Sequence, residues 1–325
     1  MKTLQCVLGA GAVCGMGLGV WAQPAEPPAD SSPLVEEQAV DVMDDDDTPP
    51  GVRFVFDAGT THQFSTGLDD AGDFAVSRFF TVAGVRAPID ERFTVTGRVL
   101  YSLSHYDFDG VARFGGSDPW ENVHTLALNA NLSYQIDDAW SVFGGPILTF
   151  SGEGDADIED TFTGGGVVGA TWTPTNNLRL GMGVTVTSQL EDDVSVFPLI
   201  VLNWRFADQW TLRSATLDAG SIGGGGLELA YELTDHWTLA GGAVYQSGRF
   251  RLDDEGFAPD GIGENSRVPL YLRATWNPSR QVGVSILGGI TVGGELTIED
   301  DNGDRLFQED YDPAPFAGVN VVLRF

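Results

Sequence analysis

The chain has 325 residues, with 47 acidic against 17 basic side chains and a formal charge of −30. A hydrophobic content of 42% is too high for a fully disordered chain, and past the first twenty-odd residues no apolar run reaches the ~18–20 residues that a spanning helix needs. The charge excludes nucleic acid as a partner, because phosphates would repel it.

Residues 1–22 read as a secretory signal peptide. Met1-Lys2 gives the positive start, Leu4 to Val20 the apolar core, and Val20-Trp21-Ala22 the small or short residues of a cleavage after Ala22. Both cysteines, Cys6 and Cys14, fall in this segment, so the mature chain lacks disulfides, cysteine metal sites and thiol nucleophiles. Lys2 is the sole lysine, which removes Schiff-base chemistry as well. Residues 23–50 form a Pro-rich acidic leader ending in Asp44 to Asp47, Thr48, Pro49 and Pro50. That composition cannot bury a core and reads as disordered.

From 51 to 325 the pattern alternates at period two, the mark of strands. Leu126, Leu128, Ala130, Leu132 and Tyr134 alternate with Thr125, Ala127, Asn129, Asn131 and Ser133. Leu227, Leu229, Tyr231 and Leu233 alternate with Glu228, Ala230, Glu232 and Thr234. Strands are expected near 52–64, 74–87, 91–106, 122–136, 140–151, 161–173, 178–190, 194–206, 210–218, 225–234, 237–251, 266–277, 281–293 and 314–325. That makes fourteen, or twelve if 210–218 and 225–234 form a loop.

Alternating strands build either a soluble sandwich or a membrane barrel whose apolar face meets lipid. The connections decide between them. Pro88 to Asp90, Asp137 to Ala139, Pro174 to Asn177, Ala207 to Gln209, Asp235-His236 and Pro278 to Arg280 are short. Ser65 to Asp73, Asp107 to Trp120, Gly152 to Asp160, Leu252 to Asn265 and Gly294 to Pro313 are longer and acidic. Short turns on one rim and long loops on the other are the barrel arrangement. Trp140, Trp172, Trp204, Trp210, Trp237 and Trp276 each lie near a short turn on the apolar parity, as an interfacial aromatic girdle would. Charged residues in mid-strand mostly take the other parity, with Arg78 as the exception.

The chain ends Val319-Asn320-Val321-Val322-Leu323-Arg324-Phe325. Phe325, Leu323, Val321 and Val319 resemble the C-terminal assembly signature of Gram-negative outer-membrane β-barrels. In its Gly-rich body and its tryptophans beside Asp/Asn turns, the segment 51–325 is similar to uncharacterised, porin-like members of that class. The resemblance implies an all-β fold, a transmembrane antiparallel up-and-down barrel. It also implies residence in the bacterial cell outer membrane, with the lipid bilayer and the outer-membrane assembly machinery as partners.

A fourteen-strand barrel is wider than the eight-strand kind whose side chains fill it. The function expected is therefore a passive, porin-like diffusion channel for small hydrophilic solutes, with no enzymatic activity. Its lumen would be lined by Arg98, Arg179, Arg205, Arg213 and Arg273 facing Glu228 and Glu232. The alternative is a non-conducting structural or adhesive barrel with cation-binding outer loops. Asp300, Asn302 and Asp304, and Asp155 with Asp157, space oxygens as loop-bound Ca²⁺ ligands would be, although neither completes an EF-hand; no other cofactor is expected. The long loop 294–313 is a candidate to fold inward. His105 and His124 point towards lipid by parity, which argues against a catalytic set. The glycine runs 164–166 and 223–226 precede strands, so they read as bends or close packing and not as phosphate loops.

Overall fold

The computed structural model describes residues 51–69, 72–110, 118–191, 194–215 and 223–325. The signal peptide and the acidic leader lie outside these. Fifteen strands follow in order. They are β1 (Arg53–Leu68), β2 (Gly72–Pro88), β3 (Phe93–Asp109), β4 (Asn122–Gln135), β5 (Trp140–Glu153), β6 (Phe162–Thr175), β7 (Leu178–Thr187) and β8 (Ser195–Ala207). Then come β9 (Trp210–Ala215), β10 (Gly223–Thr234), β11 (Trp237–Arg251), β12 (Ile262–Ser279), β13 (Val282–Glu299), β14 (Arg305–Tyr311) and β15 (Ala314–Arg324). Each pairs antiparallel with its neighbours, and β1 closes the ring on β15 through Val55↔Arg324 to Gln63↔Phe316. The closed wall has fourteen staves, because β14 and β15 are one stave in two pieces. Tyr311 pairs with Gly294 and Ala314 with Thr291 in unbroken register along β13. The break falls at Asp312-Pro313, where proline has no N–H to give. The Thr66 hydroxyl donates to the Asp312 carbonyl (2.7 Å) and Asp312 N–H to the Gly67 carbonyl (3.0 Å), holding the gap shut.

β9 and β10 pair with each other from Gly226↔Ala215 to Tyr231↔Trp210, which settles the count against twelve. Two expected loops are corrected. Residues 65–73 are mostly hairpin, with β1 running to Leu68 and β2 starting at Gly72. Residues 294–313 are no inward-folded loop: β13 continues to Glu299 and β14 returns beside it. The glycine runs 164–166 and 223–226 lie inside β6 and β10 rather than before them. A β-carbon on Gly165 would collide with the Val186 carbonyl oxygen of the next strand, which is the close backbone approach that glycine permits.

The outer wall carries large apolar side chains open to the surroundings. Met182 is 75% and Leu272 74% exposed, and Ile200, Ile286 and Val168 are similar. A continuous apolar belt of this kind is stable against acyl chains and not against water. Closure pairs the strand backbone along the wall, as a bilayer demands. The molecule is an outer-membrane β-barrel.

The short turns are built alike. Asp90 accepts from the N–H groups of Arg92 and Phe93 (2.8 Å each), and Asp137 from those of Ala139 and Trp140 (2.8 Å each). Thr234 does the same for His236 and Trp237 at 3.3 and 3.1 Å. Such side-chain mimicry of a turn is the habit of Asp and Thr. The backbone donors from Arg92 and then Phe93 hold the Asp90 carboxyl below its ordinary value of 3.8. A lowered folded value stabilises fully above 3.8, and that stabilisation disappears as the pH falls through the folded value. Asp90→Asn is therefore expected to flatten the acid-side loss of stability below about pH 4, measured as urea midpoints in detergent from pH 5 to 3. Equal slopes in both proteins would refute the assignment.

Candidate functional site

The inward face of the wall divides by height. Near the short turns it is polar and partly wet. Arg205 donates to Glu232 at 2.9 Å with both side chains about half exposed. Arg179 donates to Thr171 Oγ1 at 3.0 Å and reaches Ser141 Oγ at 3.5 Å. Arg98, the fifth of the expected arginines, is buried among the inward residues of β3. Higher up, Glu228 is fully buried. It accepts from Arg213 Nε and Nη2 (2.9 and 2.6 Å), from the Tyr271 hydroxyl (2.9 Å) and from Arg273 Nη2. The structure thus brings Arg213, Arg273 and Glu228 into one cluster, pairs Arg205 with Glu232, and leaves Arg179 on hydroxyls.

Towards the long-loop rim the ring narrows. β11 runs past its last pair with β10, at Ser247, and meets β5 in parallel at Arg251↔Gly152. β1 to β5 and β11 to β14 then form a smaller ring, while β6 to β10 stand outside it. Apolar side chains fill this ring, among them Phe74, Tyr106, Trp120, Phe250, Ile298 and Tyr311. Trp120 packs edge-on against Phe250 at 5.3 Å and Tyr106 at 5.6 Å, and Phe74 meets Tyr311 at 4.9 Å. The Asn265 amide donates to the Tyr106 hydroxyl at 3.1 Å, joining β12 to β3 on opposite sides of the small ring. The Tyr311 hydroxyl donates to the same amide oxygen at 3.2 Å. This is a stopper across the outer half of the barrel. The cavities beside it hold about 10 and 20 Å³, room for one or two waters.

Two buried arginines fasten loops over the remaining lobe. Arg249 donates to Glu299 (2.7 Å), Glu264 (3.3 Å) and the Leu190 carbonyl (3.3 Å). Arg251 donates to Glu191 (2.6 Å) and to the carbonyls of Asp160 (3.1 Å) and Asp260 (2.6 Å). Glu191 and Asp260 are the only non-glycine residues at positive φ among the described residues, so this latch also holds the two strained backbones in place.

The six tryptophans stand on the outer face beside the short turns, 38–46% exposed. Trp140 stacks on Trp172 at 6.0 Å and Trp237 on Trp276 at 6.4 Å, while Trp210 lies 4.7 Å from Tyr231 and Trp204 5.4 Å from Phe206. Val319, Val321 and Phe325 also face outwards. Leu323 shares their parity at intermediate exposure. Phe325 exchanges both backbone hydrogen bonds with Phe54 at 2.9 and 3.0 Å. Arg78 is corrected: it points inward and is 4% exposed, so the expected register of β2 was one residue off. His105 and His124 lie on the outer face, bonded to Asn122 and Tyr101 at 2.9 Å each.

The rim itself is acidic. Asp118 is pushed above the usual carboxyl range by partial burial, and then by Glu121 and Asp107. Asp300 turns one oxygen to the N–H groups of Asn302 and Asp304, at 2.9 Å each, so it shapes its turn. The Asn302 side chain donates to Asp301 at 2.7 Å. Asp155 and Asp157 lie in the β5–β6 connection, where the Asp157 carbonyl accepts from Asp160. Among the described residues no three His, Cys, Asp or Glu side chains converge as a metal site would require.

Residues 121–324 match a family model described as a domain of unknown function (DUF6268). No curated protein matches the chain. Among solved structures it is similar to a Pseudomonas aeruginosa FadL homologue, at 12% identity over 84% of this chain and 89% of that one, with a TM-score of 0.46. An outer-membrane channel from Pseudomonas putida F1 gives 13%, 87%, 99% and 0.47. The P. putida toluene transporter TodX gives 9%, 91%, 93% and 0.44.

Proposed function

The chain belongs to the DUF6268 family, and we propose that it is a non-enzymatic outer-membrane channel for small hydrophilic solutes whose outer half rests closed. The observation that carries this reading is the inward face beside the short turns, where Arg179, Arg205 and Glu232 stay partly exposed on a polar lining. Opposed charges in a confined aqueous space discriminate solutes by charge. The outward tryptophans act as the interfacial girdle. Phe325, Leu323, Val321 and Val319 act as the signal to the assembly machinery. Loop-bound Ca²⁺ is not part of this reading.

In planar bilayers the purified full chain is expected to show stepwise openings. Arg179→Glu and Arg205→Glu are each expected to move the reversal potential towards cation preference. Arg273→Glu is the poorer probe, because Arg273 also holds Glu228. The stopper favours a second reading, a non-conducting structural barrel. Folded protein that stays silent both as wild type and with the stopper trimmed would establish that reading and end the channel proposal.

A further inference from the structure

Arg78 has no role in the function above. It lies in the middle of β2, is 4% exposed, and lines both cavities below the stopper. The lower cavity is bounded by Thr61, Gln63, Gln246 and Thr291, the upper by Ser104, Thr125, Ser151 and Asn265, and Arg267 borders both. No carboxylate lines either one. Its Nη2 is buried without a hydrogen-bond partner, and its guanidinium has no ion pair among the described residues. The nearest compensation is the Tyr106 ring, 6.0 Å from the guanidinium carbon.

A guanidinium stays charged at any pH the protein meets and cannot neutralise itself by losing a proton. Buried without a counter-charge, it is strongly unfavourable. A ring face at 6 Å supplies only a weak, undirected attraction. The hydroxyls and amides around it are neutral. What is missing is one negative charge in a space the size of one or two waters.

We propose that Arg78 is the centre of an anion site inside the barrel, taking a chloride-sized anion in the polar cavity beneath the stopper. The anion accepts a charge-assisted hydrogen bond from Arg78 Nη2. The size of the cavities sets the ligand class: a halide fits, and an organic acid of several carbons does not. The inference rests on the interior alone. A barrel that never conducts but binds the anion leaves it standing.

The test uses the full chain folded in detergent, with sodium bromide as probe and sodium gluconate, too large for the cavity, as the ionic-strength match. The thermal unfolding midpoint of the wild type is expected to rise saturably with bromide and not with gluconate. Arg78→Met is expected to abolish that rise. Arg78→Lys, which keeps the charge but not the fork, is expected to retain it at about tenfold weaker apparent affinity. Crystals grown in bromide are expected to show an anomalous peak within hydrogen-bonding reach of Arg78. Identical wild-type midpoints in the two salts, an undiminished rise in Arg78→Met, or no peak at Arg78 at saturating bromide would each overturn the site.

Discussion

Glu228→Ala is expected to destabilise the barrel by about 3–5 kcal/mol, the range for breaking a buried ion pair by removing one partner. Glu228, on β10, is fully buried and is the acceptor for two guanidiniums and a phenol drawn from two other strands, β9 and β12. Without it, Arg213 and Arg273 face one another across a space with little water, and the Tyr271 hydroxyl loses its acceptor. Glu228→Gln keeps an oxygen acceptor but no charge, and is expected to fall between wild type and Glu228→Ala. The Arg205–Glu232 pair is the internal control. Both side chains are about half exposed, so Glu232→Ala is expected to cost under about 1 kcal/mol. Urea unfolding in micelles, followed by tryptophan fluorescence, separates the two cases. Equal costs would mean that the Glu228 cluster is as well solvated as that pair, contrary to its burial.

The second large effect concerns the stopper. Tyr106→Ala with Phe250→Ala removes two rings that meet at 6.4 Å inside the narrowed ring, and with Tyr106 goes the hydrogen bond from Asn265. An apolar constriction gates by excluding water, and removing its rings lets water in. The open-channel fraction in planar bilayers is expected to rise by about tenfold or more over wild type, and cells carrying the variant are expected to become sensitive to hydrophilic antibiotics. Each ring is also a core side chain whose removal costs about 3–5 kcal/mol. Heat-modifiable migration on gels must therefore show that the variant is folded before its currents are read. A folded double variant with wild-type conductance would mean that the closure lies elsewhere.

Much of the wall was legible because two signals agree along it: period-two alternation and Asp- or Thr-capped short turns. Most of the errors trace to one rule, that apolar means lipid-facing. Towards the long-loop rim the faces invert, with polar residues outside and apolar residues packed within the ring, and on some staves apolar side chains face inward even in mid-wall. On β3, Tyr106 and Phe108 point inward while His105 and Asp107 point out. On β13, Leu296 and Ile298 are buried inside, opposite in parity to Glu295 and Glu299. A bulge between Val292 and Glu295 separates this stretch from the lipid-facing part, so the segment looked like an acidic loop. β2 suffers the same way. Phe74, Val76, Phe80 and Val82 are apolar because they fill the interior, and reading them as lipid-facing drove Arg78 into hydrocarbon. An arginine with four apolar neighbours on its own parity was the available signal that those neighbours face inward. The pairing of β5 with β11 left no local mark, since contacts between distant staves depend on how the whole ring closes.

The two mouths of this barrel are electrically unlike. The rim carrying the long connections bears crowded carboxylates such as Asp118, Glu121, Asp253, Asp254 and Asp300, while arginines line the opposite opening. Cations accumulate at the first, whereas at the second Glu232 and turn carboxylates such as Asp90, Asp137 and Asp235 offset the arginines, so neither sign is concentrated there. An oriented layer of such molecules would rectify, so the direction of an applied voltage decides whether the cation-rich reservoir is drawn upon.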